Sequence, residues 1–196
     1  MKFPGREINM QYVIVGIGGQ GILFASKVLG KIALERGESV IGSEVHGMAQ
    51  RGGSVISHFK VGNYRSPLVL AGEADILLAF DQNEAVRNLN FLKKKGSLVV
   101  NVHDRGALEN VSLAELVRDR EIEVHSLDGY ALLKEHMGGN FLFLNVLLMG
   151  AMCGAGMSGI SFEEVSRAVK ELSPPKSQDA NMKVLALGAE AIRGGR

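Results

Sequence analysis

Tyr12-Val13-Ile14-Val15-Gly16-Ile17-Gly18-Gly19-Gln20-Gly21 is the stretch whose reading decides the fold. A short, β-branched apolar run passes without interruption into glycines at 16, 18 and 21. It is followed by Ile22-Leu23-Phe24-Ala25-Ser26-Lys27-Val28-Leu29, which has the character of a helix. The order is therefore strand, tight turn, helix N-terminus. A backbone without Cβ can turn sharply and approach another surface closely, and the first turn of a helix leaves N–H groups unpaired and aimed outward. An anion or a polar partner group is the natural guest of such a turn.

With a strand before it and a helix after it, this G-x-G-x-x-G has the context that the dinucleotide-binding fingerprint requires. A Rossmann-like first βα unit follows; a bound dinucleotide does not, because fold does not fix function. The 196 residues suffice for one well-buried α/β core and are too few for two domains with a linker, so one domain over residues 1–196 is expected. Net charge is +1, from 22 basic and 21 acidic residues without any block of like charges, which leaves no electrostatic footprint for nucleic acid. Aromatic content is 6% with no Trp, so there is no stacking platform for bases either. The only cysteine, Cys153, lies in an apolar run and reads as a small buried hydrophobe. One thiolate cannot ligate a zinc ion or an iron–sulfur cluster alone, so neither is expected within this chain. Without a membrane-spanning run or a cleavable leader pattern, the expected address is the cytoplasm.

Farther along, Gly37 is expected to close the first helix, and Ser39-Val40-Ile41-Gly42-Ser43 reads as a second parallel strand ending at Glu44. Residues 54–61 alternate in the manner of a half-exposed strand, antiparallel and at an edge, with His58 on its solvated face. Residues 74–80 read as a central strand, and Asp81 with Glu84 has capping-box spacing for a helix from Gln82 to about Leu92 that Gly96 ends. A strand over 97–101, a helix capped by Ser112, a strand over 122–126 and a helix capped by Asp128 continue the alternation. Residues 141–152 are apolar nearly all round, so that helix must be covered on more than one side, and self-association of the isolated chain into a homodimer is one way to cover it. Ser161 and Glu164 then cap a helix over 162–172, Pro174 and Pro175 break it, and a last helix runs from about 178 to 192. The fold class is α/β: a Rossmann-like, doubly wound, mostly parallel sheet with helices on both faces and one antiparallel edge strand.

Ligands of open α/β sheets gather at the carboxyl ends of the strands, where both residues 16–21 and residues 43–53 are expected. The second segment carries four glycines from 42 to 53, with His46, Gln50 and Arg51 between them. Arg51 can fork onto a carboxylate or phosphate, or onto a neighbouring subunit. His46 reads either as a hydrogen-bonded loop histidine or as a chemical participant. Glu44 stands where a dinucleotide fold keeps its ribose carboxylate, and a free-standing NAD- or FAD-binding domain is the alternative it supports. His103 and Asp104 either line the same crevice or serve the turn alone. Hydrolase elbows, Walker lysines, H-E-x-x-H and Cys–His nucleophile patterns are missing from the sequence, so a catalytic cofactor is expected on another chain.

Residues 16–21 together with Ser43-Glu44-Val45-His46-Gly47-Met48-Ala49-Gln50-Arg51-Gly52-Gly53-Ser54-Val55 resemble the small subunit of the 2-oxoacid:ferredoxin oxidoreductases, most of all the indolepyruvate beta type; pyruvate and 2-oxoglutarate enzymes call this piece gamma. The likeness spans about residues 10–190. It implies thiamine diphosphate with Mg and iron–sulfur clusters on a large partner subunit, electron delivery to ferredoxin, and acyl transfer to coenzyme A. It makes Gly16, Gly18, Gly19, Gln20 and Gly21 a turn facing the crevice. His46, Gln50, Arg51, Gly52 and Gly53 become the loop facing the partner or the acyl acceptor. An interaction module without any ligand is the remaining alternative.

Overall fold

The computed structural model describes residues 9–47, 52–104, 106 and 111–194. Among them, six strands form one sheet: β1 Met10–Ile17, β2 Val40–His46, β3 Ser54–Val61, β4 Ala74–Ala79, β5 Leu92–Asn101 and β6 Glu123–Leu127, in the order β2-β3-β1-β4-β5-β6. The helices are α1 Ile22–Glu35, α2 Gln82–Asn88, α3 Val111–Asp119, α4 Gly129–Met137, α5 Leu144–Ala155, α6 Phe162–Leu172 and α7 Gln178–Arg193. β1, β4, β5 and β6 pair in parallel. One core layer joins the sheet to α1 and α4–α7, and the other joins it to α2 and α3. The sheet is thus doubly wound, as the alternation of elements predicts.

The left half of the sheet departs from expectation. β2 runs in the direction of β1 without pairing with it, because β3 lies between and is antiparallel to both. The edge strand is therefore β2, and the antiparallel strand sits one place inward. That displacement overturns the solvated reading of His58, which is only 5% exposed. Its Nδ1 accepts the Val69 N–H at 3.3 Å and its ring meets Phe91 edge-on. Burial, and secondarily the charge of Lys60, lower the His58 pKa and favour the neutral form that this acceptor role needs. Alternation along residues 54–61 is real, but helices or the 64–72 connector cover both faces.

Three helix ends also differ. Asp81 accepts the Asn83 and Glu84 amides at 2.9 and 3.1 Å, whereas the Glu84 carboxylate turns away to Ser54 Oγ at 2.6 Å and Arg87, so only half the box forms. After α2 a 3₁₀ turn over Leu89–Phe91 leads straight into β5, and Gly96 lies inside that strand instead of ending a helix. A Cβ on Gly96 would stand 2.9 Å from the Lys93 carbonyl oxygen, beside a register irregularity between β4 and β5. α3 begins at Val111, so Ser112 lies within it and not before it; the Ser112 side chain falls outside the described residues. By contrast Ser161 and Glu164 form the full reciprocal box. Glu164 also takes a two-pronged bond from Arg36 at 2.6 and 2.7 Å, which holds its carboxyl down to about 2 and ties α1 to α6.

The all-round apolar helix is α5, whose residues from Val146 to Cys153 are all buried. Its cover is internal: the sheet on one side and α7, α6, α1 and α4 on the others. This removes the packing argument for a homodimer. α5 and α7 cross on glycines, since a Cβ on Gly150 would overlap the Leu185 carbonyl and one on Gly188 the Leu147 carbonyl. The helix axes are consequently closer than larger residues permit. Gly150→Ala should lower unfolding free energy by about 3 kcal/mol in urea titration, because backbone cannot rotate out of the way. Gly30→Ala, 3.7 Å from the Phe59 ring inside α1, should be neutral or stabilising by about 0.5 kcal/mol. Equal effects from the two variants would contradict this packing.

Candidate functional site

The carboxyl end of β1 opens into the glycine turn, at the point where the strand order reverses. The turn is braced from within by Gln20. Its Oε1 accepts the Ile17 N–H at 2.7 Å, and its Nε2 donates to Tyr130 Oη at 3.0 Å and to the Phe80 carbonyl at 3.4 Å. Gly16 makes room for this side chain: a Cβ there would stand 2.6 Å from Gln20 Oε1 and 2.9 Å from Phe80 Cβ. Gly19 and Gly21 have φ of 100° and 84°, a conformation that costs other residues free energy. Gly21 is the N-cap of α1, without side-chain cap and with no acid in the first turn. The amides of Gly21, Ile22 and Leu23 have no acceptor among the described residues. The positive end of α1 is thus uncapped by the chain itself.

The second glycine segment lies beside the first. The Gly18 N–H donates to the Gly53 carbonyl at 2.9 Å, and a Cβ on Gly18 would be 3.9 Å from the Gly52 nitrogen. The Gly47 N–H closes the base of the loop on the Ser54 carbonyl at 2.7 Å, and Ser54 Oγ is anchored on buried Glu84. Gln50 and Arg51 lie outside the described residues. His46 ends β2, exposed, level with Gly16 but two strands away, about 10 Å at ordinary strand spacing. Glu44 is exposed, within the edge strand β2, level with Ile14 and also two strands off. A dinucleotide fold places its ribose carboxylate on the strand next to β1; here β3 occupies that place, so Glu44 does not have that geometry.

Other carboxyl edges converge on Gln20. Asn101, fully buried, donates to the Phe80 carbonyl at 3.2 Å and accepts the Gly129 N–H at 2.8 Å. Gln82 Oε1 accepts the amides of His103 and Asp104, both at 3.0 Å. The His103 ring meets Tyr130 edge-on at 5.6 Å, and Tyr130 meets exposed Phe141 at 5.1 Å, so His103 does line the crevice.

Beside the turn lies a cleft of about 510 Å³ between the N-terminal ends of α1, α5 and α7. Phe24, Phe143, Asn140, Asn145, Lys176 and Asn181 are among the residues lining it. Asn145 packs so tightly on the turn that a Cβ on Gly21 would be 2.9 Å from its Cγ. Asn181, 6% exposed, donates to Ser173 Oγ at 2.7 Å, and its carbonyl oxygen has no donor among the described residues. Sequence reasoning missed Tyr130, Asn145 and Asn181. A single amide inside an otherwise apolar helix was the available signal for Asn145.

Comparison with known proteins decides the family. The pyruvate ferredoxin/flavodoxin oxidoreductase model matches residues 11–191, nearly the whole chain. The chain belongs to that family. Indolepyruvate oxidoreductase subunit IorB of Pyrococcus horikoshii is 38% identical, over 96% of this chain and 97% of that one. The keto/oxoacid ferredoxin oxidoreductase gamma subunit of Geobacter sulfurreducens superposes with a TM-score of 0.71 at 23% identity, covering 94% of this chain and 99% of its own. The 2-oxoglutarate:ferredoxin oxidoreductase of Magnetococcus marinus, solved with 2-oxoglutarate, coenzyme A and succinyl-CoA bound, gives a TM-score of 0.66 at 17% identity, over 97% of this chain and 31% of that one. These structural likenesses carry the fold. The family's small-subunit form is thus an oxidoreductase component of about this length.

Within the family member described here, Gln20 ties the ends of β1 and β4 to the first turn of α4, and the strength of that tie is measurable. Gln20→Ala should cost about 2 kcal/mol in urea unfolding by leaving the Ile17 amide without its acceptor. Tyr130→Phe should cost about 1 kcal/mol or less, because Tyr130 Oη is only partly buried and water can replace it. The reverse order of effects would contradict the assignment of Gln20 as the brace.

Proposed function

We propose that the chain is the small, gamma-type subunit of a cytoplasmic 2-oxoacid:ferredoxin oxidoreductase, with an arylpyruvate such as indolepyruvate as substrate. The products are acyl-CoA, carbon dioxide and reduced ferredoxin. Its own part is assembly with a large subunit and reception of coenzyme A. The second role is supported by the uncapped N-terminus of α1 beside the joined glycine segments, and by the neighbouring cleft with Asn145, Lys176 and Asn181, in which Asn145 packs against Gly21. Free helix amides and a lysine suit phosphate oxygens, and carboxamides suit the amide groups of a pantetheine arm. The bound coenzyme would supply the thiol that accepts the acyl group; this chain holds and orients it. Arg51 and Gln50, carried on the joined loop, are proposed to face the same acceptor.

The remaining cofactors fit a partner better than this chain. Burial pushes the Cys153 thiol up to about 12, far from a thiolate ready to bind iron. Among the described residues, none of the groups of three or more His, Cys, Asp or Glu is placed to hold a metal ion. Thiamine diphosphate, Mg and the iron–sulfur clusters are accordingly proposed for the large subunit, which then passes electrons to ferredoxin. No helix among the described residues is long and apolar enough to cross a membrane.

In the assembled complex, Lys176→Ala and Arg51→Ala should each raise KM for coenzyme A about tenfold, the loss of one charge-assisted hydrogen bond, with KM for the 2-oxo acid unchanged. Unchanged KM for coenzyme A in both variants, with assembly intact, would reduce the chain to a ligand-free interaction module. Purification from its source without a thiamine- and cluster-bearing partner would overturn the subunit assignment.

A further inference from the structure

Another cavity lies on the opposite face of the sheet from α5 and α7, where α3 stands off α2 above β5 and β6. Its volume is about 380 Å³, within the range of ligand sites and room for roughly a dozen heavy atoms at liquid density. The walls are aliphatic: Val86 from α2, Leu89 from the 3₁₀ turn after it, Leu98 from β5, Leu113 and Val117 from α3. Water in such a space finds few partners, so an apolar body is the guest that gains by entering.

The rim is charged and asymmetric. Glu121 is engaged by Lys94 at 2.7 Å and Lys95 at 3.5 Å, which neutralise it. Arg118, also at the rim, has among the described residues only Asp119 as an ion-pair partner, at a loose 3.7 Å, with both side chains about three-quarters exposed. Its guanidinium keeps donors available to a planar anion at the mouth of an apolar pocket. We infer that the α2–α3 cavity is a binding site for a small monocarboxylate with an aromatic or medium-chain aliphatic body, the body among Leu89, Leu98 and Val117 and the carboxylate on Arg118. The site shares no residue with the coenzyme A cleft and stands independently of that reading.

Titration of the full chain with 3-phenylpropionate, with octanoate and with uncharged 3-phenylpropanamide, followed by amide NMR shifts, tests this. Saturable shifts confined to α2, the 3₁₀ turn after it, α3, β5 and β6 are expected for both acids, with the amide weaker by about tenfold. Arg118→Ala should lower affinity for the acids to that of the amide while leaving the amide unchanged. Ala114→Trp, filling the cavity from α3 with an unchanged far-UV spectrum, should abolish binding of all three. No saturable binding at millimolar ligand would overturn the inference, as would shifts centred on Asn145 and Asn181 or equal affinity for acid and amide. Loss of binding on assembly with the large subunit would also overturn it, by identifying the cavity as a subunit contact.

Discussion

The hydrogen bond from the Gly18 N–H to the Gly53 carbonyl, 2.9 Å long, is the constraint on which the candidate site depends. It joins two segments far apart in sequence, the glycine turn after β1 and the start of β3. A Cβ on Gly18 would still find ordinary contact distances to Gly52 and Gly53, so the limit there is backbone approach and turn shape more than a single clash. From that bond the support spreads outward: Ser54 rests on Glu84, Gln20 on Phe80 and Tyr130, and Asn101 on Phe80 and Gly129. Four strand ends are thereby fixed relative to one another, with the positive end of α1 held open at their centre. The consequence is a cleft formed before any ligand arrives, which lowers the ordering cost of binding.

The helical layer over the opposite side of that cleft is set by a different constraint. Glycines at 150 and 188 let α5 and α7 meet backbone to backbone, which buries α5 on all sides and brings Asn145 and Asn181 to the same opening. An apolar helix that looks like an interface in the sequence is an internal strut. At the crevice rim Phe141 and Leu142 stand 48% and 78% exposed, with Phe141 against Tyr130.

Features set by neighbours in sequence were legible: the β1 turn and α1, the Asp128 cap, the Ser161–Glu164 box, and the alternation that makes the sheet doubly wound. Features set by distant pairing were not. Nothing local tells β2 to stand outside β3, and with that order hidden, His58 reads as solvated and Glu44 as a ribose ligand. Half a capping box was lost because Ser54, thirty residues upstream, competes for Glu84. Tyr130, Asn145 and Asn181 escaped because each sits in a helix whose first turn reaches the crevice only after the sheet is assembled. The adjacency of the two glycine segments was legible through chemistry, since both carry the residues a strand-end site needs.

The most direct measurement of the account is the scalar coupling across the hydrogen bond from Gly18 nitrogen to Gly53 carbonyl carbon, in the isolated, isotopically labelled chain. The account predicts a detectable coupling and a Gly18 amide that exchanges with solvent about a hundredfold or more slowly than in the unfolded chain. An absent coupling together with exchange at the unfolded rate would show that the two turns are not joined before assembly, and would contradict the preformed cleft.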